Sequence, residues 1–185
     1  MEELESSLSL SPNSAPGLDN VTFELIKHLN EKAKKYLLDF YNHLWKERLF
    51  PKEWQHAIII PIAKPGKDPC IVNNYRPISL TSCLCKLMEK IVHGRLIWFI
   101  EKNNILAPTQ SGSRTGRSTL DSLTLLENQI RKGFQERKIT TAIFFDIQKA
   151  YDTTWRHSIL KSLHKNGLKG ELPSFLKNFL TEHFK

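Results

Sequence analysis

Asp146 closes an uninterrupted apolar run, Thr141-Ala142-Ile143-Phe144-Phe145. Such a run predicts a buried strand, with the carboxylate at its C-terminal end, where reactive groups are often displayed. Asp152 follows shortly after. Two readings stay open on spacing alone: a solvated or cation-binding acid, or a strand terminus followed by a helix cap. Lys64 and Arg76 flank the breaker-rich stretch Lys64-Pro65-Gly66-Lys67-Asp68-Pro69. Two cations on a hairpin-like finger suit a triphosphate or a nucleic-acid backbone, and equally suit a solvated surface. Gly112-Ser113-Arg114-Thr115-Gly116-Arg117-Ser118-Thr119 is not a phosphate-binding P-loop. Its glycines lie too close, Arg stands where Lys is needed, and no apolar strand precedes it. What remains is a flexible, doubly cationic loop entering a helix N-terminus, fitted to phosphate through Arg114, Arg117 and backbone N–H groups, or simply solvated. Cys83-x-Cys85 has no second Cys/His pair at zinc-finger spacing, and the 7 histidines form no metal-ligating pair.

These residues must be carried by elements. Residues 1–18 are rich in Ser, Pro and Asn and read as a flexible lead-in ending at the turn dipeptide Pro16-Gly17. A helix is predicted from Asp19 or Asn20 to about Asn30, with Phe23, Ile26 and Leu29 on one face. A second runs from Asn30 on a Leu37, Phe40, Tyr41, Leu44 stripe and stops before Pro51. Ala57-Ile58-Ile59-Ile60 predicts a strand that Pro61 ends or confines to an edge. Asn73-Asn74-Tyr75-Arg76-Pro77 is extended in part. A long helix is predicted over 82–101. Ser118-Thr119-Leu120-Asp121 has the form of a capping box opening a helix with Leu123, Leu126, Ile130 and Phe134. After the strand to Asp146 come a helix near 155–166, a glycine-bounded turn at 167–170 and a last helix after Pro173. The order is α+β with helices dominant.

The 185 residues are 40% apolar and 25% charged with 8 Gly and 9 Pro, which excludes collagen-like, low-complexity and wholly disordered chains. The net charge of +8 lies almost entirely beyond residue 93, pointing to a polyanionic partner, nucleic acid before membrane. No stretch approaches the ~20 apolar residues of a membrane helix. The acidic N-terminus is unlike a signal peptide. Three cysteines without a disulfide framework fit a reducing compartment, so the expected location is intracellular, cytoplasm or nucleus, and not secreted.

Taken in order, the motifs are more specific than any one of them. They run Trp54-Gln55-x-Ala57-Ile58-Ile59-Ile60-Pro61-Ile62-x-Lys64-Pro65-Gly66-Lys67-Asp68, then Asn74-Tyr75-Arg76-Pro77-Ile78-Ser79-Leu80. Gln110-x-Gly112-x-Arg114-x-Gly116-Arg117-Ser118-Thr119 and Phe145-Asp146-Ile147-x-Lys149-Ala150-Tyr151-Asp152 follow. This series resembles the reverse-transcriptase domain of jockey-like non-LTR retrotransposons, and Pro16-Gly17-Leu18-Asp19 resembles that family's entry to the domain. The resemblance covers residues 13–185. It implies a partial right-hand polymerase fold, with fingers and first palm helices over 19–138 and the start of the palm over 139–185. It implies RNA-directed DNA synthesis from deoxynucleoside triphosphates on an RNA template and DNA primer, using two Mg²⁺ ions. By the same resemblance Asp146 is a metal-binding catalytic aspartate, with the Ile147 carbonyl as a second ligand. Lys64 and Arg76 hold the triphosphate, and Tyr151 packs beneath the incoming sugar. Gln110, Gly112, Arg114 and Arg117 lie by the template and primer.

The sequence departs from that family in three places. The later palm hairpin, an aromatic-Ala-Asp-Asp, is absent from these residues, as are the thumb and an endonuclease domain. Ser113 and Tyr151 stand where Phe is the usual residue. One aspartate does not complete a two-metal site, so these residues alone are expected to be inactive, either as a cropped polymerase, as a nucleic-acid-binding fragment or as a relic. A single palm strand would also leave an apolar face and a free edge exposed.

Overall fold

The computed structural model describes residues 1–147 and 150–182, with Tyr151, Asp152 and Glu182 described in backbone only. They fall into two compact units, 1–99 with 156–185, and 100–155.

In the first unit, α1 (Glu2–Ser9), α2 (Phe23–Lys27), α3 (Glu31–Glu47), most of α4 (Cys83–Lys102), α7 (Arg156–Lys165) and α8 (Glu171–Glu182) surround one apolar core. The expected lead-in is not flexible throughout: α1 buries Leu4 and Leu8 completely or nearly so. The Ser-rich composition hides two leucines four apart, which share a helix face. Thr22 caps α2 and Asn30 caps α3, each side chain accepting a backbone N–H three residues on. α3 contributes Tyr41 and Leu44, and α4 contributes Cys83, Cys85, Leu87, Met88 and Val92. The Tyr41 hydroxyl donates to the Leu84 carbonyl at 2.8 Å, which satisfies the polar end of a buried ring. Burial raises both the Tyr41 phenol and the Cys85 thiol above their ordinary pKa values. α8 closes the core with Leu172 and Phe175, and its Pro173 sits in the first turn, where no intrahelical donor is lost.

The sheet is a single antiparallel hairpin, β1 (Ile58–Ala63) with β2 (Tyr75–Leu80). Pro61 faces Pro77 in the register, and the strand continues through both. Lys64 N donates to Asn74 O at 2.8 Å, so by the two-residue alternation of an antiparallel ladder the Pro61–Pro77 pair is a non-hydrogen-bonded one. Neither proline removes a ladder bond there. Every residue of β1 is exposed, so the hairpin projects from the helical core.

The second unit holds the end of α4, a loop, α5 (Thr119–Gln135), an irregular stretch and α6 (Ala150–Thr153). The capping box that opens α5 is complete: Ser118 Oγ accepts from Leu120 N at 3.2 Å, and Asp121 accepts from Ser118 N at 2.6 Å. The buried strand expected at 141–145 is not formed. Residues 139–147 are irregular, with Ile143, Phe144 and Phe145 at least 73% exposed. A strand needs a neighbour to accept its ladder bonds, and among the described residues this unit offers none. The α+β composition therefore reduces to helices and one two-stranded hairpin.

Candidate nucleotide and template site

The hairpin decides the relation of Lys64 and Arg76. Arg76 pairs with Ile62 across the ladder, and Lys64, two residues beyond Ile62 and just past the end of β1, extends the ladder through its N–H bond to the Asn74 carbonyl. Side chains two apart share a face, so both cations lie on one face at the turn end, diagonal neighbours at roughly 7–8 Å. The turn that carries them is internally bonded. Lys64 Nζ donates to the Asn73 carbonyl at 2.8 Å, Asn74 Nδ2 to the Asp68 carbonyl at 2.9 Å, and the Tyr75 hydroxyl to the Pro69 carbonyl at 2.9 Å. Gly66 at φ +70° makes the bend. The same face carries Ile58, Ile60 and Ile78, each more than a third exposed, and the half-buried Leu80.

Gln110, Gly112, Arg114 and Arg117 come together in one loop of the second unit. Gln110 Nε2 donates to the Gly112 carbonyl at 3.3 Å, and Arg117 donates to the Pro108 carbonyl at 3.2 Å. Arg114 forms a bidentate ion pair with Glu101, its Nε on Oε1 at 2.8 Å and a terminal nitrogen on Oε2 at 2.6 Å. That hydrogen bond, chiefly, holds the Glu101 carboxyl below the ordinary range, with the charges of Arg114 and Arg117 adding to it. Ser113 and Gly116 take left-handed backbone, φ +58° and +72°. Reading by motif missed Glu101. Its signal is an acid at the end of the long helix, ahead of a loop with two arginines.

Asp146 and Ile147 stand on the irregular stretch of the same unit, both exposed. The Tyr151 side chain lies outside the described residues. Mg²⁺ requires several hard oxygen ligands in near-octahedral geometry. One carboxylate and one carbonyl are of the right kind but too few, and the described residues form no group of three or more His, Cys, Asp or Glu. They do not by themselves build a two-ion site. No helix among the described residues is long and apolar enough to cross a membrane.

The pattern of a cationic hairpin, a cationic loop and an aspartate after an apolar run matches a known family. Residues 62–185 match the family described as reverse transcriptase (RNA-dependent DNA polymerase). The chain belongs to that family. It is 36% identical over 180 residues to the probable RNA-directed DNA polymerase from transposon BS of Drosophila melanogaster, covering 96% of this chain and 20% of that protein. It is 32% identical over 180 residues to the RNA-directed DNA polymerase from mobile element jockey of Drosophila funebris, covering 97% and 20%. A type-1 retrotransposable element R2 polyprotein of Popillia japonica is 27% identical over 98% of this chain. These relatives bear out the resemblance to the jockey-like, non-LTR kind. The chain spans about a fifth of the length of the first two.

Proposed function

We propose that this chain supplies the fingers, over 19–138, and the start of the palm, over 139–185, of an RNA-directed DNA polymerase of a non-LTR retrotransposon. The observation that carries the reading is the hairpin register, which sets Lys64 and Arg76 on one face as a pair able to hold a triphosphate. Two cations there neutralise phosphate charge and orient the nucleotide for in-line attack by a primer 3′-hydroxyl. The loop from Gln110 to Arg117 lies along template and primer, and Tyr151 packs beneath the sugar, where it excludes a 2′-hydroxyl. Asp146 and the Ile147 carbonyl would supply two of the oxygen ligands that hold Mg²⁺, an ion that would supply charge neutralisation at the reacting phosphate. Further palm carboxylates and a thumb complete the site. The irregular run 139–147 becomes a strand when a palm neighbour pairs with it, which accounts for its exposed Phe144 and Phe145. These 185 residues alone bind nucleic acid and do not extend a primer.

The test is primer extension on an RNA template by a polypeptide that adds the remaining palm and thumb. Asp146→Ala should cut extension at least about a hundredfold while template affinity stays within about twofold. Extension that survives the substitution removes Asp146 from the catalytic site.

A further inference from the structure

Arg114 has little left to give a ligand. Besides the fork to Glu101, its other terminal nitrogen donates to the Ala107 carbonyl at 3.1 Å and reaches the Gln110 carbonyl at 3.5 Å. A guanidinium carries five N–H groups in one plane, and four of them are spent inside its own segment. The side chain is 13% exposed, against 35% for its partner Glu101. Arg117 is the opposite case: exposed, with one bond to the Pro108 carbonyl. A loop with two left-handed residues and no repeating ladder takes its shape from its tethers. The Arg114 tether joins its first residues, 107 and 110, to the last turn of α4 at Glu101.

We infer that Glu101 is a positioning residue for polynucleotide binding: it pins Arg114, and Arg114 in turn holds the 107–117 loop so that Arg117 meets phosphate. Arg114 is thereby a tether and Arg117 the phosphate ligand. The inference rests on the reading of this loop as a template and primer contact, and divides its two arginines by role.

The sign of one substitution separates this from plain electrostatics. Removing an acid beside two arginines should tighten polyanion binding if charge alone matters, because the site lies within a Debye length of about 10 Å. Loss of positioning should weaken it. The experiment is fluorescence anisotropy of the 185-residue chain with a labelled RNA–DNA hybrid across a salt series, with helix content checked by circular dichroism. Glu101→Gln should weaken binding roughly tenfold, as expected when a charge-assisted fork is lost. Arg114→Lys should do the same, since an ammonium cannot fork. Arg117→Ala should lower the log–log salt slope by about 0.7–0.9, one phosphate's worth. Amide exchange gives a readout independent of binding, with residues 107–117 exchanging faster in Glu101→Gln and in Arg114→Lys. Binding by Glu101→Gln as tight as or tighter than the parent, or unchanged exchange in the loop, overturns the positioning role. If the parent chain fails to bind the hybrid, the template reading of the loop fails and the positioning role with it. Exchange alone would then report whether the tether exists.

Discussion

Single residues in this chain show how a motif can serve packing. Gly17 lies so close to the start of α4 that a Cβ on it would stand 2.6 Å from Ser82 N and 2.7 Å from the Thr81 carbonyl carbon. Beside it, Asp19 accepts from Ser82 Oγ at 2.5 Å, and that same Oγ receives Leu84 N at 3.2 Å, capping α4. The Pro16-Gly17-Leu18-Asp19 segment therefore seats the helix that carries Cys85, Leu87, Met88 and Val92 into the core. Gly17→Ala should destabilise the fold by about 1–3 kcal/mol through backbone overpacking. In urea this reads as a lower midpoint at unchanged slope. Carboxylates supply a second residue-scale prediction. Glu3, Glu101 and Glu171 are each held below the ordinary value of 4.5, chiefly by hydrogen bonds from Arg95, Arg114 and Arg48. A lowered folded-state pKa contributes stability that is fully present above 4.5 and is lost as the pH falls through the lowered values. Thermal melts should be flat from neutrality down to about that pH and decline below it. The decline should be small, since these pairs are largely solvated.

At the scale of elements, local rules and available partners divide the outcome. α5 has every local signal, a complete capping box and an apolar stripe at helical spacing, and it forms. Ser118→Ala should cost that helix about 1 kcal/mol, seen as reduced ellipticity and faster exchange in its first turn while α3 and α4 stay unchanged. The hairpin forms although it carries a proline in each strand, because both fall on pairs that need no ladder donor. The same prolines leave each edge short of a donor, which discourages another chain from pairing there. The apolar run before Asp146 has stronger strand character than either hairpin strand. It stays irregular because ladder bonds require a second strand and none is near among the described residues of its unit.

At the scale of the molecule, the two units are built differently. Among the described residues the first encloses sixteen buried apolar side chains, from Leu4 to Phe175, with Trp45 stacked on Phe175 at 5.3 Å and Arg95 over Trp45 at 4.8 Å. Arg48, at the left-handed end of α3, pairs with Glu171 at the start of α8 at 2.8 Å. The second unit buries no large apolar side chain among the described residues: Leu120, Leu123 and Phe134 on α5 are 60–75% exposed. Leu126 and Ile130 on its stripe are only half-buried, and a 17-residue helix with so little apolar cover is marginal in water. Native-state hydrogen exchange should find α3, α4 up to Phe99 and α8 protected, and α5 at least about tenfold less so. Equal protection would mean that α5 has apolar cover that these residues do not provide.

Much of this was legible in the chain itself. The periodicities place α3, α4, α5 and α7 within a residue or two, because helices are set by contacts a few residues apart and by caps such as Asn30 and Ser118. The ordered motifs identify the family, since residue type and spacing survive without coordinates. Three things needed the tertiary structure, and each depends on contacts between residues distant in sequence. The partner of α1 is the core formed by later helices, so Leu4 and Leu8 looked like part of a polar lead-in. The shared face of Lys64 and Arg76 follows from a register that no single strand specifies. The fork between Glu101 and Arg114 depends on the loop folding back onto the end of α4, which turns one of two similar arginines into a tether and leaves the other exposed.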